Sequence, residues 1–142
     1  MGRGRRRDDG SAPVEVAVVA PAVLVLLMLV LYAGRVTRTE GEVQSAASAA
    51  ARAASLEASI GVAQDQAESV AEDNLNDADI SCIDSSVTLV DDATDMSPGG
   101  QVTVAVSCTV SNSDLSLLAV PGENSFTATA TEVIDTFRGG GP

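Results

Sequence analysis

The chain of 142 residues divides into three stretches with different patterns of hydrophobic and polar positions. The first is an unbroken apolar run, VAVVAPAVLVLLMLVLYA, which covers residues 16–33 without a charge. As a helix its eighteen residues extend about 27 Å, close to the roughly 30 Å hydrocarbon core of a bilayer. A core helix this apolar needs a larger domain around it than the remaining, mostly polar chain provides. The pattern therefore predicts one membrane-spanning helix.

The second stretch, residues 36–75, follows the period of an α-helix and is rich in alanine, the strongest helix former. Two apolar stripes run along it, with Gly61 as a candidate break between them. The first stripe consists of Val36, Val43, Ala47, Ala50 and Ala54. The second consists of Leu56, Ile60, Ala63, Ala67 and Val70. Small side chains suit close packing among copies of the helix or against a sheet, but alanine also favours a helix without any partner.

The third stretch begins near residue 80 and alternates with the period of two that is typical of half-buried strands. Strands are predicted at residues 86–90, 101–111 and 125–134, with a Ser-Pro-Gly-Gly turn at 97–100. The core-facing side of the middle strand is predicted to hold Val102, Val104, Val106, Cys108 and Val110. The corresponding side of the last strand is predicted to hold Phe126, Ala128 and Ala130.

Residues 115–120 form an apolar connection between the last two strands, and their leucines are candidates to cover the sheet or to contact a partner. These leucines are Leu115, Leu117 and Leu118. Together the three stretches predict an α+β fold. A long N-terminal transmembrane helix continues into a helical stalk and is followed by a small three-stranded antiparallel sheet.

Charge separates the two ends of the chain, whose formal net charge is −12. Residues 1–39 carry six arginines and three acids, a net of +3. Residues 40–142 carry two arginines and seventeen acids, a net of −15, so that the two parts add up to −12. Because arginine-rich flanks stay in the cytoplasm, the N-terminus is predicted to be cytoplasmic and the acidic body to be exported. An acidic body also repels phosphate, which disfavours nucleic acid as a partner.

The composition offers little for catalysis or metal binding. The chain has no histidine, the commonest general base and metal ligand. The acidic residues at 73–79 do not keep the spacing of a calcium loop, because Leu75 takes the third position. They and the cluster of Asp91, Asp92 and Asp95 indicate solvated acidic loops. We therefore predict that the protein is not an enzyme, with no catalytic residue, no metal site and no cofactor.

The two cysteines, Cys82 and Cys108, both lie in the part predicted to be exported, where disulfides persist. A bond between them is worth about 3.5 kcal/mol in the chain-entropy model. A small domain with few aromatic residues needs such a covalent link. We expect a disulfide; the alternative is two free buried thiols.

Glu15 stands directly before the apolar run, where an ionised carboxylate is costly unless it is paired or reaches the headgroups. The sequence around it, GSAPVE at residues 10–15, resembles a type IV prepilin processing site. At such sites a membrane aspartic peptidase cuts after Gly, and Glu stands at the fifth position after the cut. The resemblance implies a cut between Gly10 and Ser11 that removes only the basic leader.

Residues 10–21, GSAPVEVAVVAP, resemble more narrowly the start of the TadE-like family, minor pseudopilins of the tight-adherence (Flp) pilus assembly system. The ending SFTATATEVIDTFR, residues 125–138, is similar to the closing strand of that family. The resemblance implies a pilin-like architecture, with the helix laid across the sheet. It also implies three kinds of protein partner beside membrane lipid: a prepilin peptidase, other pilin or pseudopilin subunits, and the pilus assembly machinery. Glu15 would then pair during assembly with the amine that cleavage creates on Ser11, in the same or a neighbouring subunit.

The predicted organisation has five parts: a basic cytoplasmic leader at 1–10, a transmembrane helix at 11–34, an extracytoplasmic alanine-rich helix at 35–78, a small disulfide-linked β region at 79–137 and a tail at 138–142. The expected location is the cell (inner) membrane, crossed once, with the C-terminal domain outside.

Two other functions stay open. One is an uncleaved, signal-anchored surface protein whose outer domain binds a partner. The other is an exported soluble protein whose signal is removed near Gly34. The N-terminus of the mature protein separates the three, because it would be Ser11, Met1 or a residue near Gly34.

Overall fold

The computed structural model describes residues 12–90, 96–115 and 121–137, with side chains from residue 15 onward. Its elements, in chain order, are α1 (Ala12–Ser55), α2 (Ile60–Asp77), β1 (Asp84–Val90), β2 (Gln101–Ser111), α3 (Asn112–Leu115) and β3 (Glu123–Val133). The three strands form one antiparallel sheet in the order β1-β2-β3. The predicted α+β class, a long N-terminal helix followed by a small antiparallel sheet, is therefore confirmed.

Helix α1 is a single helix of 44 residues, about 66 Å long, that continues from the apolar run into the alanine-rich stretch. It contains Pro21 and ends at Ser55, where Leu56 and Glu57 make short turns back onto it. The next helix begins after Ser59, whose backbone is extended. The break between the helices thus lies at residues 56–59, and Gly61, the predicted break, is inside α2.

The outer half of α1, together with α2, covers one face of the sheet. In this layer α1 contacts α2, β2 and β3, and α2 contacts β1. Of the α1 stripe, Val43, Ala47, Ala50 and Ala54 are buried and Val36 is half-buried, so the stripe packs against the rest of the chain. The α2 stripe differs from the prediction, because its buried residues are Ala63, Ala67, Ala71 and Leu75. Leu56 lies in the turn and is 67% exposed, and Ile60 is 46% exposed, since the chain leaves one helix before it begins the next.

The sheet has one core-facing side and one side rich in serine and threonine. In β2 the predicted alternation is confirmed, with every even-numbered residue from Val102 to Val110 buried. Hydroxyl groups bond across the open side, for example Thr103 with Thr131 at 2.8 Å. Strand β1 begins at Asp84, two residues earlier than predicted, and β3 covers Glu123–Val133 rather than 125–134.

Two glutamines, one from each long helix, bond to the outer edges of the sheet. On β1, the Gln64 side chain donates to the carbonyl of Val87 at 2.7 Å and accepts from the N–H of Leu89 at 3.2 Å. On β3, Gln44 donates to the carbonyl of Thr129 at 3.3 Å. The pairing register directs these backbone groups away from β2. Each edge strand is therefore partly satisfied by a helix side chain.

The connection between β2 and β3 begins with the short helix α3, which contacts α1. Leu115 is buried in the core, so this leucine covers the sheet. Leu117 and Leu118 lie outside the described residues, as do Asp91, Asp92 and Asp95, the predicted leader and the predicted tail.

Candidate functional site

The most unusual surface of the described chain is the apolar half of α1. Its valine and leucine side chains from Val16 to Leu31 are 45–69% exposed. Soluble monomers rarely leave so large a continuous apolar surface in water. By length and composition this helix is a candidate single membrane span. Its surface requires an apolar surrounding, either lipid or other apolar helices.

Glu15 lies at the N-terminal end of this surface, in the first turn of α1, and its side chain is exposed. The N-terminal end of a helix favours an anionic side chain, because the unpaired N–H groups there carry partial positive charge. Gly10 and Ser11, the predicted processing residues, lie outside the described residues. Cleavage between them and the pairing of Glu15 therefore stay predictions.

A polar cluster joins the outer domain to the other end of the apolar surface. The side-chain amide of Asn124 donates to the hydroxyl of Tyr32 at 3.3 Å and also to the side-chain oxygen of Asn112. The guanidinium of Arg35 donates to the carbonyl of Asp114 at 3.5 Å. We call Tyr32, Arg35, Asn112, Asp114 and Asn124 the junction cluster. It brings the β2–β3 connection onto α1 where the apolar run ends.

The junction cluster depends on Gly122. The N–H of Asn112 donates to the carbonyl of Gly122 at 2.9 Å, which closes the connection. Gly122 has φ +127, and a Cβ atom there would lie 2.7 Å from the side-chain nitrogen of Asn112. Only glycine fits both the backbone angle and the close approach.

Sequence reasoning did not find the junction cluster. A tyrosine at the end of an apolar run is a readable signal of a membrane interface. Nothing in the sequence, however, indicates that two asparagines twelve residues apart, Asn112 and Asn124, bond to each other.

The disulfide that the sequence predicts is present between Cys82 and Cys108, with a Cα–Cα distance of 5.4 Å. It ties the segment before β1 to the second half of β2. Cys82 also borders a cavity of about 350 Å³ between the end of α2 and the start of β1. The cavity is lined by Glu72, Leu75, Asn76, Ile80, Ser81, Cys82 and Ser85.

The acidic residues of α2 are not gathered into a metal site. Among the described residues, no three side chains of His, Cys, Asp or Glu are close enough together to hold an ion. Asp73, Asp77 and Asp79 are all exposed, as expected for a solvated acidic segment.

Comparison with known proteins bears on the N-terminal part of the chain. Residues 10–52 match the family described as TadE-like protein. This part of the chain is TadE-like. The match confirms the resemblance seen at residues 10–21, and it covers the apolar half of α1 and most of the alanine stripe. The similarity of residues 125–138 to the closing strand of the family lies outside the match and stays a prediction. TadE-like proteins are a pilus-related structural family rather than an enzyme family. No curated protein and no solved structure matches the chain.

Proposed function

We propose that the protein is a TadE-like minor pseudopilin that contributes to the assembly of a Tad (Flp) type IV pilus. The observation that carries this proposal is an overlap. The TadE-like match covers residues 10–52, and these include the whole exposed apolar surface of α1 from Val16 to Leu31. The family signal therefore falls on the part of the molecule that needs an apolar surrounding.

In this proposal α1 crosses the inner membrane once, with the N-terminus in the cytoplasm and the outer domain outside. The arginines before the apolar run support this orientation. The Cys82–Cys108 disulfide supports it as well, because such bonds persist in oxidising compartments.

A prepilin peptidase would cut between Gly10 and Ser11 and remove the basic leader. The new amine on Ser11 would be one helical turn from Glu15, since positions i and i+4 share a helix face. An amine from a neighbouring subunit has the same charge and offers the same pairing. Either arrangement lowers the cost of holding the carboxylate next to the hydrocarbon core.

The protein partners would be other pilin or pseudopilin subunits and the pilus assembly machinery. The exposed valines and leucines of α1 support helix contacts of this kind within the membrane. The described residues show no metal cluster, and the proposed role is structural.

The first experiment is intact mass measurement and N-terminal sequencing of the protein from its native membrane. We expect the chain to begin at Ser11. A chain that begins at Met1 would contradict the processing step and favour the signal-anchored surface protein. A start near Gly34 would contradict the membrane anchor and favour an exported soluble protein.

The second experiment tests Glu15. We expect Glu15→Ala and Glu15→Gln to insert into the membrane normally and to lose pilus assembly, because both remove the negative charge. Glu40→Ala is the matched control, since Glu40 is an exposed acid of the same helix beyond the apolar run. Normal assembly by Glu15→Ala would show that the charge pairing is wrong.

A further inference from the structure

Among the described residues, the outer domain is hydrogen-bonded to α1 where the apolar run ends, without an intervening free stalk. Tyr32 is the next-to-last residue of the run and bonds to Asn124. Arg35 lies two residues beyond the run and bonds to Asp114. Along the helix these two positions are separated by only about 4.5 Å. The end of the outer domain that carries α3 therefore lies at the same level as the end of the apolar surface.

The side chains at this level have the chemistry of a membrane interface. Tyrosine and arginine are favoured where hydrocarbon meets water, because each has an apolar part and a polar end. Tyr32 is the single tyrosine of the chain, and its ring is half-buried against the outer domain. Asn124 bonds to the Tyr32 hydroxyl and to the amide of Asn112, and the sequence neighbours of these two asparagines, Ser113, Asp114 and Glu123, are exposed. Amides, hydroxyls and carboxylates suit the hydrated headgroup layer, which is roughly 5–8 Å thick on each side of the core.

The junction cluster fixes the outer domain at this depth. Asn124 bonds both to Tyr32 on α1 and to Asn112 at the start of α3. The carbonyl of Gly122 holds the other side of the connection by accepting from Asn112. To rise away from the end of the apolar run, the domain would have to break these bonds together with the packing of α3 on α1.

We propose that this end of the outer domain, formed by α3, Gly122 and the start of β3, is seated in the headgroup layer of the bilayer that α1 crosses. The occupant of this surface is lipid, because the surface continues directly from the exposed apolar helix. The inference rests on the proposed membrane span. It adds that the folded domain stands on the membrane rather than on a free helical stalk. The opposite end of β2 lies ten residues further along the strand, a length of roughly 34 Å, and would then be on the side of the domain away from the lipid.

Single tryptophans can test this arrangement, because the chain has none of its own. Asp114→Trp and Glu123→Trp place probes at the proposed lipid contact, both at exposed positions. Ser97→Trp places a matched exposed probe in the turn before β2, at the far end of the domain. Val25→Trp places a probe in the middle of the apolar run. Each full-length variant is reconstituted into phosphatidylcholine vesicles that contain either a headgroup nitroxide lipid or an acyl-chain brominated lipid.

We expect the headgroup nitroxide to remove roughly half of the emission of Asp114→Trp and Glu123→Trp, since the headgroup layer is only a few ångströms thick. The emission of Ser97→Trp should be nearly unchanged. The brominated lipid should quench Val25→Trp most strongly. Hydrogen exchange of β2 confirms that each variant keeps the fold.

The result that overturns the inference is quenching of Val25→Trp by brominated lipid while both proximal probes behave like Ser97→Trp. The span would then hold and the domain would stand clear of the membrane. Equal quenching of all three outer probes by the headgroup nitroxide would also overturn it, because the domain would lie flat on the lipid. If Val25→Trp escapes brominated lipid, the proposed membrane span itself fails.

Discussion

The two halves of α1 belong to one uninterrupted helix, but the side chains of the first half are exposed and one face of the second half is buried. The first half carries valine and leucine, and those side chains are 45–69% exposed. The second half carries alanine, and Ala46, Ala47, Ala50, Ala51 and Ala54 are fully buried. Bulky side chains fit a surrounding that can adapt to them, such as lipid. A face of alanines fits a rigid partner, because a second helix and a sheet can then approach the backbone closely.

This comparison shows that burial and hydrophobicity are separate properties of a helix. The more hydrophobic half is the exposed one, and the less hydrophobic half forms the core. The stability of the outer domain should therefore depend on the side-chain size in the second half and on the disulfide within the domain that packs on it, with little contribution from the first half.

The largest effect is expected from loss of the disulfide, which ties only the outer domain. The double variant Cys82→Ser/Cys108→Ala should lower the free energy of unfolding of the outer domain by about 3.5 kcal/mol. Hydrogen exchange in the full-length protein in lipid should show faster exchange in β2 and unchanged protection of residues 16–31. Equal loss of protection in both regions would show that the two halves of α1 unfold as one unit.

The next effect should come from side-chain size at matched positions of the two halves. Ala50→Leu inserts a large side chain between α1 and the rest of the core and should cost about 1–3 kcal/mol. Ala22→Leu makes the same exchange on the exposed apolar half and should leave the exchange of β2 unchanged. If both variants speed up the exchange of β2 to a similar extent, the proposed difference between the two halves of α1 is wrong.

A smaller effect is expected at the boundary between the halves. Tyr32→Phe keeps the ring but removes the oxygen that accepts from Asn124, which should cost about 1 kcal/mol. The faster exchange should appear at the start of β3. Thr37→Ala is the control, because its hydroxyl bonds only within α1, to the carbonyl of Ala33. If Tyr32→Phe and Thr37→Ala change the exchange at the start of β3 equally, the hydrogen bond from Asn124 to Tyr32 does not stabilise the domain.

The smallest effect is expected from the charged pair on the outer surface of the second half. Arg38 and Glu42 approach to 3.9 Å, and the Arg38 side chain is largely exposed. Glu42→Gln should change the stability by less than about 0.5 kcal/mol, since solvent and salt screen the pair. Thermal melts at low and high salt provide the measurement, and a large salt-dependent change would contradict this estimate.

Much of this architecture could be predicted because it depends on one-dimensional periodicity. The alternation from Val102 to Val110 predicted the bounds of β2 correctly, since strands show their buried face in every second residue. The apolar run and the stripe through Ala47 and Ala50 were equally readable. Of the candidate site, the family resemblance at residues 10–21 and the cysteine pair could be predicted from sequence.

The remaining features depend on contacts between distant residues. The helix break was expected at Gly61 but lies at residues 56–59. Its position depends on how α2 packs on α1, and the sequence pattern does not show that packing. Gln44 and Gln64 look like ordinary exposed polar residues of a helix, and only the fold shows that each faces a strand edge. Asn124 is similar, because its partner Tyr32 is 92 residues away.

The two glutamines have a consequence for how copies of this protein can meet. An exposed strand edge is a template on which another chain can add a strand, and repeated addition leads to fibres. Here an incoming strand would first have to displace Gln64 from β1 or Gln44 from β3, and each lost hydrogen bond costs about 0.5–1.5 kcal/mol. Addition of a further strand is thereby disfavoured at both edges of the sheet. Among the described residues, the apolar half of α1 has no such polar cover, so contacts between copies are expected between these helices rather than between strands.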